Sequence, residues 1–89
     1  MIAHLAGVLL EKDARRVQRL VIDVHGVGYE VLAPLSTIYT LGDAGSSVAL
    51  RIYTHVREDI IQLFGFATAL EHALFERLIG VNGVGPKLD

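Results

Sequence analysis

The chain has 89 residues, enough for one small domain near the size at which the buried fraction of surface makes stability marginal. Hydrophobic residues make up 52% and charged residues 20%, the balance of a chain that folds rather than one that stays disordered. Eight Lys and Arg stand against ten Asp and Glu, a net charge of −2 that is not the footprint of an autonomous nucleic-acid binder, and the lack of Cys excludes disulfides, thiolate zinc sites and cysteine nucleophiles.

The apolar run from Met1 to Leu10 has no Lys or Arg before it, and Glu11-Lys12-Asp13 interrupts it well short of a membrane span. It reads as a first strand, near Ile2 to Leu10, and neither as a signal peptide nor as a transmembrane helix. Gln18 to Val24 places Leu20, Ile22 and Val24 on one side. After His25-Gly26-Val27-Gly28, where Gly26 and Gly28 can supply positive φ, the pattern resumes at Tyr29 to Ala33. Pro34 and the stretch Gly42 to Ser46 mark breaks. Val48 to Arg57 puts Val48, Leu50, Ile52, Thr54 and Val56 on a core face and Arg51, Tyr53 and His55 on the other. Ile60 to Phe66 is the last strand. Five or more short strands in so few residues predict a small closed or partly open barrel, OB-fold-like, over residues 1–66.

The period then changes. Thr68-Ala69-Leu70-Glu71 fits a capping box, in which the Thr hydroxyl accepts from the N3 amide and the Glu carboxylate returns to the N-cap amide. A helix is expected from Thr68 to about Ile79, with Leu70, Leu74, Leu78 and Ile79 on one face, Glu71, His72, Glu76 and Arg77 mainly opposite, and Gly80 as a stop. Asn82-Gly83-Val84-Gly85-Pro86-Lys87 follows. Its two glycines let successive amides converge on an anion, Pro86 suits the first position of a following helix, and Lys87 adds a positive charge. The group suits a nucleic-acid phosphate, held without reading sequence.

Asn82 to Lys87 resembles the hairpin of helix-hairpin-helix DNA-binding motifs. The second helix is expected to be missing, because only Leu88 and Asp89 follow Lys87, so residues 67–89 read as the first helix and hairpin of a truncated domain. Along its whole length the chain is similar to the RuvA family: Glu11-Lys12, Gly26-Val27-Gly28-Tyr29-Glu30-Val31, Thr54-His55-Val56-Arg57-Glu58-Asp59, Leu63-Phe64-Gly65-Phe66, Leu74-Phe75, Leu78-Ile79 and Asn82 to Leu88 stand in that family's order and at nearly its spacing. The resemblance implies a mainly β, OB-fold first domain, a helix-hairpin-helix second domain and a small mobile third. It also implies a bacterial cytoplasmic protein of DNA recombination and repair. Such a protein assembles as a homo-tetramer that holds four-way (Holliday) junctions open for the RuvB motor, with strand cleavage left to RuvC. No catalytic activity, cofactor or membrane association is implied.

Glu58-Asp59, between two β-patterned runs, is expected at a hairpin tip. A solvated turn is one reading; through the resemblance, the pair is an acidic pin that faces the junction crossover and repels its phosphates. His4, His25, His55 and His72 have no metal-ligand spacing, and Tyr29, Tyr39 and Tyr53 are expected in core or rim packing rather than base stacking. Arg15, Arg16 and Arg19 form the only basic cluster, at a turn or flanking DNA. A barrel that acts only in protein assembly is the alternative. An enzyme sharing the hairpin finds no support, since Ser36, Ser46 and Ser47 have no evident base partner.

Overall fold

The computed structural model describes residues 1–15 and 18–79. Among the described residues seven elements follow one another: β1 (His4–Asp13), β2 (Arg19–Val24), β3 (Val27–Leu32), α1 (Leu35–Ile38), β4 (Ser47–Arg57), β5 (Ile60–Phe66) and α2 (Ala69–Ile79). The strands close into one barrel in the order β1-β2-β3-β5-β4, the five-stranded OB arrangement anticipated from the sequence.

Closure depends on β1, which pairs with β4 through His4–Val8 and with β2 through Val8–Asp13. A register shift between Leu9 and Glu11 leaves Leu10 as an extra residue, a bulge that bends the strand from one neighbour to the other. The tight turn between β2 and β3 has His25 at φ 52° and Gly26 at φ 90°. The left-handed pair is therefore His25-Gly26 rather than the two glycines, and Gly28 lies within β3. The ring closes between β3 and β5 by a short parallel pairing, Val31 with Leu63 and Leu32 with Phe64.

Alternation delivers the core. Leu9, Leu20, Ile22 and Val31 are wholly buried, with Leu5, Val48, Leu50, Ile52 and Leu63 around them. Each such side chain contributes roughly 1.5–3 kcal/mol by leaving water. The β4 pattern holds through Thr54 and fails at Val56, which is 59% exposed because the β4–β5 arm has by then passed beyond the core. Thr54 is buried without cost: its hydroxyl donates to the Ile2 carbonyl (2.5 Å) and accepts the Ile2 amide (3.1 Å), tying down the N-terminal segment.

Two features depart from the sequence reading. Pro34, expected only as a break, is the N-cap of α1, with its carbonyl accepting the amides of Thr37 (3.0 Å) and Ile38 (3.1 Å). Four residues show no period, yet Ile38 enters the core. The second departure concerns α2. Leu70, Leu74 and Leu78, expected with Ile79 on one apolar face, are 68%, 51% and 64% exposed, and Ile79 alone of that face is half-buried. The docked side instead carries Glu71, His72 and Phe75. The barrel wall explains this choice, because β5 is apolar on both faces. Leu63 and Gly65 point inward, while Phe64 and Phe66 form an outer aromatic surface that receives Phe75 at centroid distances of 5.2 and 5.0 Å.

Candidate functional site

The β4–β5 arm holds the acidic pair. Antiparallel pairing runs from Arg51–Phe66 to Arg57–Ile60, so Glu58 and Asp59 are the two residues of the connecting turn. Both are exposed, as expected. Among the described residues neither carboxylate is in an ion pair, so two negative charges stand together at a projecting tip in high dielectric. Arg57 turns back along its strand, its Nε donating to His55 Nε2 at 2.8 Å. Val56, Ile60 and Ile61, at 59%, 42% and 69% exposure, make the surface beside the tip apolar.

The second set of expected site residues, Asn82, Gly83, Val84, Gly85, Pro86 and Lys87, lies outside the described residues. What is described is the helix that leads to them, and the way it is held. Phe75 meets Tyr53 edge-on at 5.4 Å and lies over Phe64 and Phe66. His72 stacks flat on Phe66, 5.4 Å away with the planes 6° apart. Arg51 Nε donates to His72 Nδ1 at 3.3 Å, which assigns the ring proton of a neutral imidazole to Nε2. That nitrogen is 3.7 Å from Glu76 Oε1.

At the start of α2 the Glu71 amide donates to Thr68 Oγ1 (3.2 Å), the expected Thr half of a capping box. The Glu71 carboxylate reaches further than the cap. It accepts the hydroxyls of Ser36, Thr37 (3.3 Å) and Thr68 (3.1 Å), two of which belong to α1. These bonds, Ser36 first, hold its carboxyl below the usual range against an opposing effect of burial, and the Thr68 backbone amide contributes least. Sequence reasoning missed this contact. The Thr-x-x-Glu spacing signalled the cap, but the α1 hydroxyls lie 34 and 35 positions upstream.

Other candidates resolve simply. Arg19 is engaged by Glu30 and Glu11, so its charge is compensated on the barrel wall and does not join a basic patch. Arg16 is outside the described residues. Tyr53 lies beneath α2, Tyr29 packs against the core and Tyr39 is exposed. No three of His, Cys, Asp and Glu converge as a metal site among the described residues, and no helix there is long and apolar enough to cross a membrane.

A family model described as the RuvA N terminal domain matches residues 1–65, the span of the barrel. The chain belongs to the RuvA N-terminal domain family. Curated relatives carry the similarity past the barrel to nearly the whole chain. A Holliday junction branch migration complex subunit RuvA of Syntrophobacter fumaroxidans is 58% identical over 88 residues, covering 99% of this chain and 43% of that protein. The RuvA subunit of Geobacter metallireducens is 52% identical with the same coverage, and that of Francisella tularensis subsp. novicida is 51% identical over 89 residues. The chain thus spans about two-fifths of the length of these relatives, 43%, 43% and 39% respectively.

Proposed function

We propose that this chain is the barrel and leading helix of a non-enzymatic Holliday-junction-binding subunit of a branch migration complex, acting in recombination and repair. The observation that carries this reading is near-complete coverage of the chain by relatives named as RuvA subunits of such complexes, at identities up to 58%. Residues 1–66 serve as the assembly domain, and residues 67–89 as the start of the DNA-holding domain. Asn82, Gly83, Val84, Gly85, Pro86 and Lys87 hold a backbone phosphate through converging amides and the Lys87 charge. Glu58 and Asp59 face the crossover, where repulsion of phosphates directs separating strands outward and disfavours continuous duplex.

A homo-tetramer places four such tips together. The exposed Val56, Ile60 and Ile61 beside each tip are apolar surface that an assembly covers. The complete complex works with RuvB as motor and RuvC as resolvase, in the bacterial cytoplasm, and this subunit itself needs no cofactor.

The test is a competition titration between a fixed four-way junction and a linear duplex of equal length, at two salt concentrations. Junction preference that weakens with salt is expected. Equal or absent binding favours the alternative, a barrel that acts only in protein assembly, for which the net charge of −2 is the specific argument.

A further inference from the structure

Helix α2 carries two apolar stripes. At about 100° per residue, Leu70, Leu74 and Leu78 centre roughly 130° away from the stripe formed by Phe75, Ile79 and His72. Apolar burial by itself does not select the second stripe, since three leucines offer at least as much hydrocarbon as one phenylalanine, one isoleucine and a histidine. Stacked aromatic rings are also tolerant of rotation and sliding. Hydrogen bonds to an ionised group are directional and shorter in reach.

The group that breaks this ambiguity is on the docked side. Glu71 Oε2 accepts from Ser36 and Thr37 on α1, and Oε1 accepts from Thr68 at the helix start. Thr37 is completely buried, and its hydroxyl oxygen also accepts the Ala67 amide at 3.3 Å. One side chain of α1 therefore meets both the linker after β5 and the carboxylate of α2. A carboxylate is acceptor-only and can take all three hydroxyl donors at once.

We propose that Glu71 is a positioning residue: held by Ser36, Thr37 and Thr68, it sets the rotation and direction of α2 on the barrel, and through them the presentation of the Asn82–Lys87 hairpin. The part concerning the hairpin rests on the functional reading above, and the part concerning the helix does not. Protonation of Glu71 removes acceptor capacity where three donors converge. Because its folded carboxyl is held low, the latch is complete above the ordinary glutamate range and is lost as pH falls through and below that range.

The experiment uses the 89-residue chain. Nuclear Overhauser contacts from the Phe75 ring to Tyr53, Phe64 and Phe66 report docking without DNA, and core methyl shifts of Leu50 and Ile52 report the barrel. In the wild type these ring contacts are expected to fade together in acid while the core shifts persist. Glu71→Ala is expected to lose them at neutral pH and to bind the junction about tenfold more weakly. Glu71→Gln is expected to abolish the acid transition. Should Glu71→Ala fold poorly, Ser36→Ala at an exposed position removes the first hydroxyl alone and is expected to shift the acid transition to higher pH.

Retention of the Phe75 contacts in Glu71→Ala, or an unchanged acid transition in Glu71→Gln, overturns the proposal. So does a Glu71→Ala chain whose helix is undocked yet whose junction affinity is intact. A wild-type chain that binds no junction refutes the functional reading instead, and the ring contacts still decide the role of Glu71 in the helix.

Discussion

A methyl group added at Gly65 would lie 2.6 Å from Val31 Cγ1 and 3.2 Å from Leu50 Cδ1, two side chains with nowhere to retreat in a closed core. Gly65→Ala is therefore expected to cost about 1–3 kcal/mol, read as a lower denaturant midpoint at constant slope. The same substitution at Gly7 is worse in kind, because its new Cβ would overlap the Asp23 backbone carbonyl, and that backbone is fixed in β2. Thr54→Val keeps volume but leaves the Ile2 amide and carbonyl without the hydroxyl. A loss of about 1–2 kcal/mol is expected, with faster amide exchange at Ile2. These positions were only partly legible. The sequence placed Thr54 on the core face through its alternation, but nothing in a string of residues marks which glycine of a strand points into the barrel.

Helix α2 has 11 residues, below the length at which an isolated helix is stable in water, so its persistence depends on docking. Phe75→Ala is expected to reduce helical signal in far-ultraviolet circular dichroism while the barrel transition stays in place. Leu74→Lys, on the exposed stripe, is expected to change stability by no more than about 0.5 kcal/mol. A fall as large as that of Phe75→Ala would restore the leucine face as the docked one. The strands were readable because period 2 is written locally, and the start of α2 because a Thr cap needs only three neighbouring positions. The orientation of α2 was not readable. Leucine spacing marked the more hydrophobic stripe correctly, whereas the choice of stripe depends on an aromatic wall from Tyr53, Phe64 and Phe66 and on hydroxyls of a four-residue helix that has no period to detect. The acidic turn was legible in place, since two β runs bracketed it, but the part proposed for it in junction shape rests on the family likeness and not on charge pattern.

For the whole molecule, the proposed function together with the negative net charge and the acidic tip implies a DNA selectivity that would rest on exclusion as much as attraction. Neutralising the tip with Glu58→Gln and Asp59→Asn is expected to raise affinity for linear duplex by roughly tenfold or less while narrowing the preference for junctions. Equal affinities before and after would remove the pair from any role in recognition. Ile61→Lys, at a 69% exposed position, is expected to weaken self-association in sedimentation experiments without lowering barrel stability. The ring itself has a bearing on synthesis. Strands β1, β2 and β3 are a consecutive antiparallel run and can pair as they leave the ribosome, but β1 is matched along half its length to β4, His4 with Arg51, and β3 is closed by Leu63 and Phe64 of β5. Until those residues are out of the exit tunnel, the nascent sheet carries two open edges, and limited proteolysis of stalled chains should find protection arriving in one step as Phe66 emerges. A small barrel built this way is unfinished for nearly its entire translation and must be kept from pairing with its neighbours on the same message.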